Sequence, residues 1–218
     1  MGLILGGILA GLNWVFNLFL PSPVVNILLI VALVALTGAM HLDGFADTVD
    51  GMAGHKPVEE RWKVMRDSRT GAFGVVGIAL LLITKYVVLD NIPNDVMTPA
   101  LLFFPVVSRW AMVYAIFAFK YARPLGLGTA YKNATRWPQF ITSTILALAI
   151  AGGLYPLFGW AGILIMSGIL ITATILCFYF RNKFAGQTGD TYGALNEFSE
   201  VMALLLVLIV ATNAPGLT

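Results

Sequence analysis

Residues 41–51, HLDGFADTVDG, place three carboxylates directly after a long uncharged run. If the preceding helix continues through residue 51, Asp43, Asp47 and Asp50 stand at i, i+4 and i+7. They then share one face and span roughly 10 Å of axis. Like charges so close repel unless a cation compensates them. Carboxylate oxygens suit Mg²⁺, Mn²⁺ or Ca²⁺, and Mg²⁺ usually keeps waters and borrows further ligands from substrate phosphates. A row of this length can serve one metal or two about 4 Å apart. Asp67, in RDSRTGAFG, completes the set if segment 43–70 folds back as a hairpin. The competing reading is a solvated membrane-surface loop whose acids cap helices. That reading leaves the i, i+4, i+7 row unexplained, and also Gly44 and Gly51 beside the acids.

A metal-held phosphate or diphosphate calls for Arg and Lys on its remaining oxygens. Arg66 and Arg69 flank Asp67. Arg109 lies inside an apolar run, where an unpaired Arg is costly; it is a substrate-binding candidate or half of a structural ion pair. Arg123, in YARPLGLG, stands beside glycines that let backbone approach a ligand, though it could equally serve topology. Lys85 reads as a residue that snorkels toward an interface. In TGDTYGALNEFSE, Thr188-Gly189-Asp190 reads as a turn or helix cap able to meet an anion or a hydroxyl, and Glu197 and Glu200 can share a helix face. The plain alternative is a capped helix entry with acids on its N-terminal dipole. On a continuous helix His41 lies roughly opposite the acids. It can act as a base only if the helix breaks locally, at Gly44 for example.

These groups are positioned by membrane helices. Of 218 residues 59% are hydrophobic and 11% charged, and mean hydropathy is +0.86, against about 45–50% apolar and about 25% charged in soluble domains. Apolar runs near 2–20, 23–42, 71–89, 97–119, 139–157, 160–180 and 198–213 are long enough to cross about 30 Å of hydrocarbon. The expectation is an all-α, polytopic bundle of about seven transmembrane helices, with residues 1–218 forming one domain. A turn near Gly159 joins the fifth and sixth runs. Runs such as GLILGGILAG suit close helix packing.

The polar segments 43–70, 120–138 and 181–197 carry eleven of the thirteen Lys and Arg residues. Seven crossings put all three on one face, which the positive-inside rule makes cytoplasmic, N-in and C-out. Nine of the eleven acids fall on the same face. A net charge of +2 without a basic run argues against nucleic-acid binding. One cysteine, Cys177, excludes a disulfide framework within the chain. The N-terminus lacks a basic n-region and an evident cleavage site, so a cleaved signal peptide is not expected.

HLDGFADTVDG, MRDSRTGAFGVVGI, YARPLGLG and TGDTYGALNE, in this order among apolar helices, closely resemble the cobalamin-5′-phosphate synthase (adenosylcobinamide-GDP ribazoletransferase) family. The chain departs from that pattern in having Ala185-Gly186 where a Gly pair is usual, and in starting without the family's short N-terminal stretch, as a trimmed N-terminus would. The resemblance implies a Mg²⁺-dependent transferase of the prokaryotic inner membrane, with Mn²⁺ an alternative ion, acting late in vitamin B12 assembly. An alcohol of α-ribazole, or of its 5′-phosphate, would attack the cobinamide-linked phosphorus of adenosylcobinamide-GDP and release GMP. Asp43, Asp47 and Asp50 become metal ligands, with Asp67 a fourth ligand or the base. Arg66, Arg69 or Arg123 would hold non-bridging oxygens, and Thr188, Asp190 and Glu197 would lie near the acceptor or a second metal. The partners implied are these small molecules and membrane lipid, with a homo-oligomer or other cobalamin-assembly enzymes open.

Two rivals remain. A CDP-alcohol phosphotransferase or aspartate-rich prenyltransferase also sets Mg²⁺ on a diphosphate, but its D-G-x2-A-R pattern is broken by Asp47 and it gives no reason for TGDTYGA. A divalent-cation transporter wants its acids at the membrane midplane, whereas these read as flanking helix ends.

Overall fold

The computed structural model describes residues 1–123, 127–153 and 161–213. Within them every regular element is a helix, apart from one bridge between Tyr121 and Gln187. In chain order the helices are α1 (Gly2–Phe16), α2 (Ser22–Thr37), α3 (Met40–Met52), α4 (Val58–Val64), α5 (Ala72–Asn91), α6 (Asn94–Ala118), α7 (Leu127–Ala134), α8 (Trp137–Gly153), α9 (Ala161–Phe184) and α10 (Gly189–Asn213).

Four of these, α5, α6, α9 and α10, are long and apolar enough to cross a membrane, and α2 with α3 makes a fifth if that bent pair is one span. The apolar α1 and α8 are shorter, at 15 and 17 residues. At 1.5 Å per residue they reach only about 25 Å, just under the usual hydrocarbon thickness. Within the described residues each apolar run expected to span thus returns as helix, the second of them broken at Gly38 and Ala39. The turn expected near Gly159 lies outside the described residues. Large apolar side chains such as Trp14, Val31, Leu80, Ile145, Ile171 and Ile175 face outward. Water would penalise so much exposed hydrocarbon, whereas lipid accepts it. The chain is a multi-pass membrane protein.

Sequence chemistry explains the boundaries that matter. Pro21 precedes α2 and Pro23 sits in its first turn, where a missing N–H costs nothing. The α2 helix does not continue through residue 51 as expected. Gly38 (φ 60°) and Ala39 (φ 57°) both adopt left-handed backbone, and the Ala39 N–H closes α2 on the Val34 carbonyl at 2.9 Å. The chain then turns by 90° into α3. The break therefore falls before His41, and not at Gly44.

The last helix also departs from expectation. It begins at Gly189, so most of the segment read as a polar loop to residue 197 is helix. Thr188 and Thr191 cap it reciprocally: the Thr191 N–H donates to Thr188 Oγ1 at 3.2 Å and the Thr188 N–H donates to Thr191 Oγ1 at 2.8 Å. Residues 191–197 are all buried, because α10 packs against α3, α5, α6 and α9. As the glycine-rich start of the chain suggests, α1 lies close on α6. A Cβ at Gly6 would come within 2.8 Å of the Leu101 carbonyl oxygen.

Candidate active site

The three polar segments gather at one end of the bundle through specific bonds. Gln187 pairs with the strand-like stretch after α6, its N–H donating to the Lys120 carbonyl at 2.9 Å and its carbonyl accepting from Ala122 at 2.8 Å. The Trp62 indole, on α4, donates to the Phe184 carbonyl at 3.2 Å. Lys132 on α7 donates to the Ile116 and Phe117 carbonyls at 2.7 Å each, satisfying the open end of α6. Arg61, buried, ties the loop after α3 with bonds to the carbonyls of Gly51, Met52, Gly54 and Lys56.

Within this end, α3 crosses the start of α10 at close range. A Cβ at Gly44 would stand 2.9 Å from the Asp190 carbonyl oxygen, and one at Gly193 would stand 3.0 Å from the His41 carbonyl oxygen. Only hydrogen at both positions lets the two backbones approach this far. The crossing brings Asp190 to the acids of α3, and the charges acting on Asp47 are those of Asp43, Asp190 and Asp50, opposed by Arg123. Arg123 in turn donates to Asp190 Oδ2 at 3.1 Å. The neighbouring Pro124, Leu125 and Gly126 of YARPLGLG lie outside the described residues.

The shared helical face does not give the three α3 acids one environment. Asp43 is exposed, Asp47 half-buried and Asp50 buried. Asp50 accepts from the Gly71 N–H at 2.7 Å and the Gly74 N–H at 2.9 Å, and so caps the N-terminus of α5. Asp67 lies on the exposed loop between α4 and α5. The Arg69 guanidinium, hydrogen-bonded to both its oxygens at 3.1 and 2.8 Å, holds its carboxyl at about 2. Such a group stays ionised through the neutral range. Arg66 is exposed on the same loop.

A cavity of about 660 Å³ opens beside the crossing. Its polar end carries His41 and Asp43 from α3, Asp190 from α10 and Arg109 from α6. Its walls are mostly apolar, with Trp110, Val113, Leu146 and Ile150 among them. Three residues that line the cavity also carry buried atoms without a hydrogen-bond partner: His41 Nδ1, Arg109 Nη2 and Tyr192 Oη. Such orphaned polar atoms are costly and suit a site that awaits a polar ligand.

A buried network joins α5, α6 and α10, realising the ion pair open for Arg109 but adding Lys85 to it. Lys85 does not snorkel; it is buried and bonds Glu197 at 2.6 Å and also Glu200. Arg109 pairs with the other oxygen of Glu200, to which Asn196 also donates at 3.0 Å. Two cations and two carboxylates thus neutralise one another among α5, α6 and α10. Glu197, expected near substrate, faces Lys85 instead, and Thr188 caps α10. The signal was available, since Lys85 and Arg109 are the two basic residues inside apolar runs and each needed an acid.

Among the described residues no three His, Cys, Asp or Glu side chains are gathered tightly enough to close round a single metal ion. Mg²⁺ needs less than such a cluster, since it takes one or two protein carboxylates and completes its shell with phosphate oxygens and water.

Comparison with known proteins identifies the family. A family model for cobalamin-5-phosphate synthase matches residues 1–208. The chain belongs to this family. Proteins named adenosylcobinamide-GDP ribazoletransferase are similar along nearly all of it. The one from Geotalea daltonii is 36% identical over 96% of this chain and 83% of its own length. That from Roseiflexus sp. is 35% identical over 96% and 77%, and that from Syntrophobacter fumaroxidans 38% identical over 94% and 82%. No solved structure matches the chain.

Proposed function

We propose that this chain is an adenosylcobinamide-GDP ribazoletransferase of late cobalamin biosynthesis. It would transfer the adenosylcobinamide-phosphoryl group to an alcohol of α-ribazole, or of α-ribazole 5′-phosphate, and release GMP. Membership of the family motivates the reading. The observation that carries it to particular residues is the convergence of Asp43, His41, Asp190 and Arg109 on one cavity.

The alcohol oxygen bonds to the cobinamide-linked phosphorus while the bridging P–O bond to GMP breaks, and the alcohol proton must leave. His41 is assigned to take that proton because it lines the same cavity as Asp43, although α3 is unbroken between them. Asp43, Asp47 and Asp190 are assigned to hold Mg²⁺, or Mn²⁺, with Asp67 supplying a permanently ionised carboxylate from its loop. When bound, that ion neutralises charge on the diphosphate and on the departing GMP. Arg123, held by Asp190, and Arg109 face non-bridging oxygens. Asp50 acts chiefly by fixing α5 against α3. The distribution of basic residues supports reading this end of the bundle as the cytoplasmic face of an inner-membrane protein, with the N-terminus inside.

The deciding experiment measures GMP release from adenosylcobinamide-GDP by the purified chain in detergent, with and without α-ribazole. Release that depends on α-ribazole supports the proposal. A lipid synthase would ignore α-ribazole, and a transporter would release nothing.

A further inference from the structure

Glu200 lies away from the acids read as metal-binding, yet its side chain is 1% exposed and all its bonds go to three other helix residues. One oxygen accepts from Lys85, the other from Arg109 and from Asn196. Burying this charge is tolerable only because the cations meet it directly. The consequence falls on Arg109. Its Nη1 is taken by Glu200 and by Ser108 Oγ at 3.0 Å. Its Nη2 is buried without a partner, and the residue lines the cavity that also holds Asp43 and Asp190. A guanidinium is planar and rigid, so the two bonds at Nη1 restrict where the whole group can lie.

We propose that Glu200 is a positioning residue: it holds Arg109 through Nη1 and so keeps the guanidinium at the wall of the cavity, where its charge meets an anionic phosphoryl oxygen, while Lys85 and Asn196 hold Glu200 in place. The assignment rests on the transferase reading, which identifies the diphosphate of adenosylcobinamide-GDP as the anion. A phosphoryl group is anionic before and during transfer, so the contact acts on binding and its loss appears mainly in KM.

The test compares wild type, Glu200→Gln, Arg109→Lys and the double variant by GMP release, after each is checked for a sharp size-exclusion peak and its thermal midpoint is measured. Each single variant is expected to raise KM for adenosylcobinamide-GDP about tenfold or more with kcat within about threefold, and the double variant to be no worse than Arg109→Lys. A KM for Glu200→Gln equal to wild type, or losses that multiply in the double variant, would overturn the proposal, even if thermal stability falls. Should Glu200→Gln fail to fold because the buried network is left with one excess positive charge, Lys85→Met is added to it to restore neutrality, and the same KM shift is expected. A second measurement uses only the wild type: phenylglyoxal labelling of Arg109, read by mass spectrometry, should slow when adenosylcobinamide-GDP is present, and unchanged labelling sinks the proposal. Wild-type turnover itself reports on the transferase reading. An active wild type with unmoved variants therefore refutes only the role of Glu200.

Discussion

Gly193 of α10 and Gly44 of α3 meet at the crossing that joins the two acidic groups: a Cβ on Gly193 would stand 3.4 Å from the Gly44 Cα. Nothing in the spacing of either motif dictates this contact, yet it decides which acids become neighbours.

Gly44→Ala should therefore damage both stability and turnover. The added methyl would press on the Asp190 carbonyl, which is backbone and cannot rotate away. Overpacking of this kind costs about 1–3 kcal/mol. The expected result is a lower thermal midpoint in detergent together with weaker Mg²⁺ dependence of activity. Ala at Gly11, where a Cβ meets nothing within 4 Å, should change neither. Equal tolerance of the two changes would argue against the crossing as described.

Asp47→Asn tests the metal assignment most directly. Asp47 stands among Asp43, Asp190 and Asp50 with only Arg123 in opposition. Chelation of divalent metal should stop GMP release by the wild type, and added Mg²⁺ should restore it. In Asp47→Asn turnover should fall about 100-fold or more with the fold intact. Near-normal turnover of the variant at saturating Mg²⁺ would remove Asp47 from the ligand set.

Asp50→Asn should act on stability. The substitution leaves one carbonyl oxygen where two carboxylate oxygens now serve Gly71 and Gly74. Loss of such a cap costs about 0.5–2 kcal/mol. A midpoint lowered by a few degrees, with the Mg²⁺ concentration for half-maximal activity unchanged, is the expected pattern. A raised Mg²⁺ requirement with an unchanged midpoint would return Asp50 to the metal.

For Asp67 the sign follows from its hydrogen bonds to Arg69, which hold the carboxyl at about 2. A depressed carboxyl is ionised everywhere above about pH 4, and this pair would weaken only as pH falls below the ordinary carboxylate range toward 2. The pH–rate profile between pH 5 and 9 should therefore contain no ionisation belonging to Asp67. Asp67→Asn should raise the Mg²⁺ requirement without reshaping that profile. Disappearance of an acidic limb in the variant would make Asp67 the base after all.

Composition and period made the membrane class and the helix positions legible, because burying some twenty apolar residues in lipid is a local property of the chain. The motifs were legible for the same reason: Asp43 and Asp47 share a face by helical geometry alone. What the tertiary structure decided was allegiance. Left-handed backbone at Gly38 and Ala39 swung α3 across α10, Asp50 went to a helix end, and Glu200 with Lys85 went to Arg109 in the core. A carboxylate's spacing along the chain is set by covalent geometry, but its partner is whichever donor the packing of other helices leaves within reach, and only the folded arrangement contains that information.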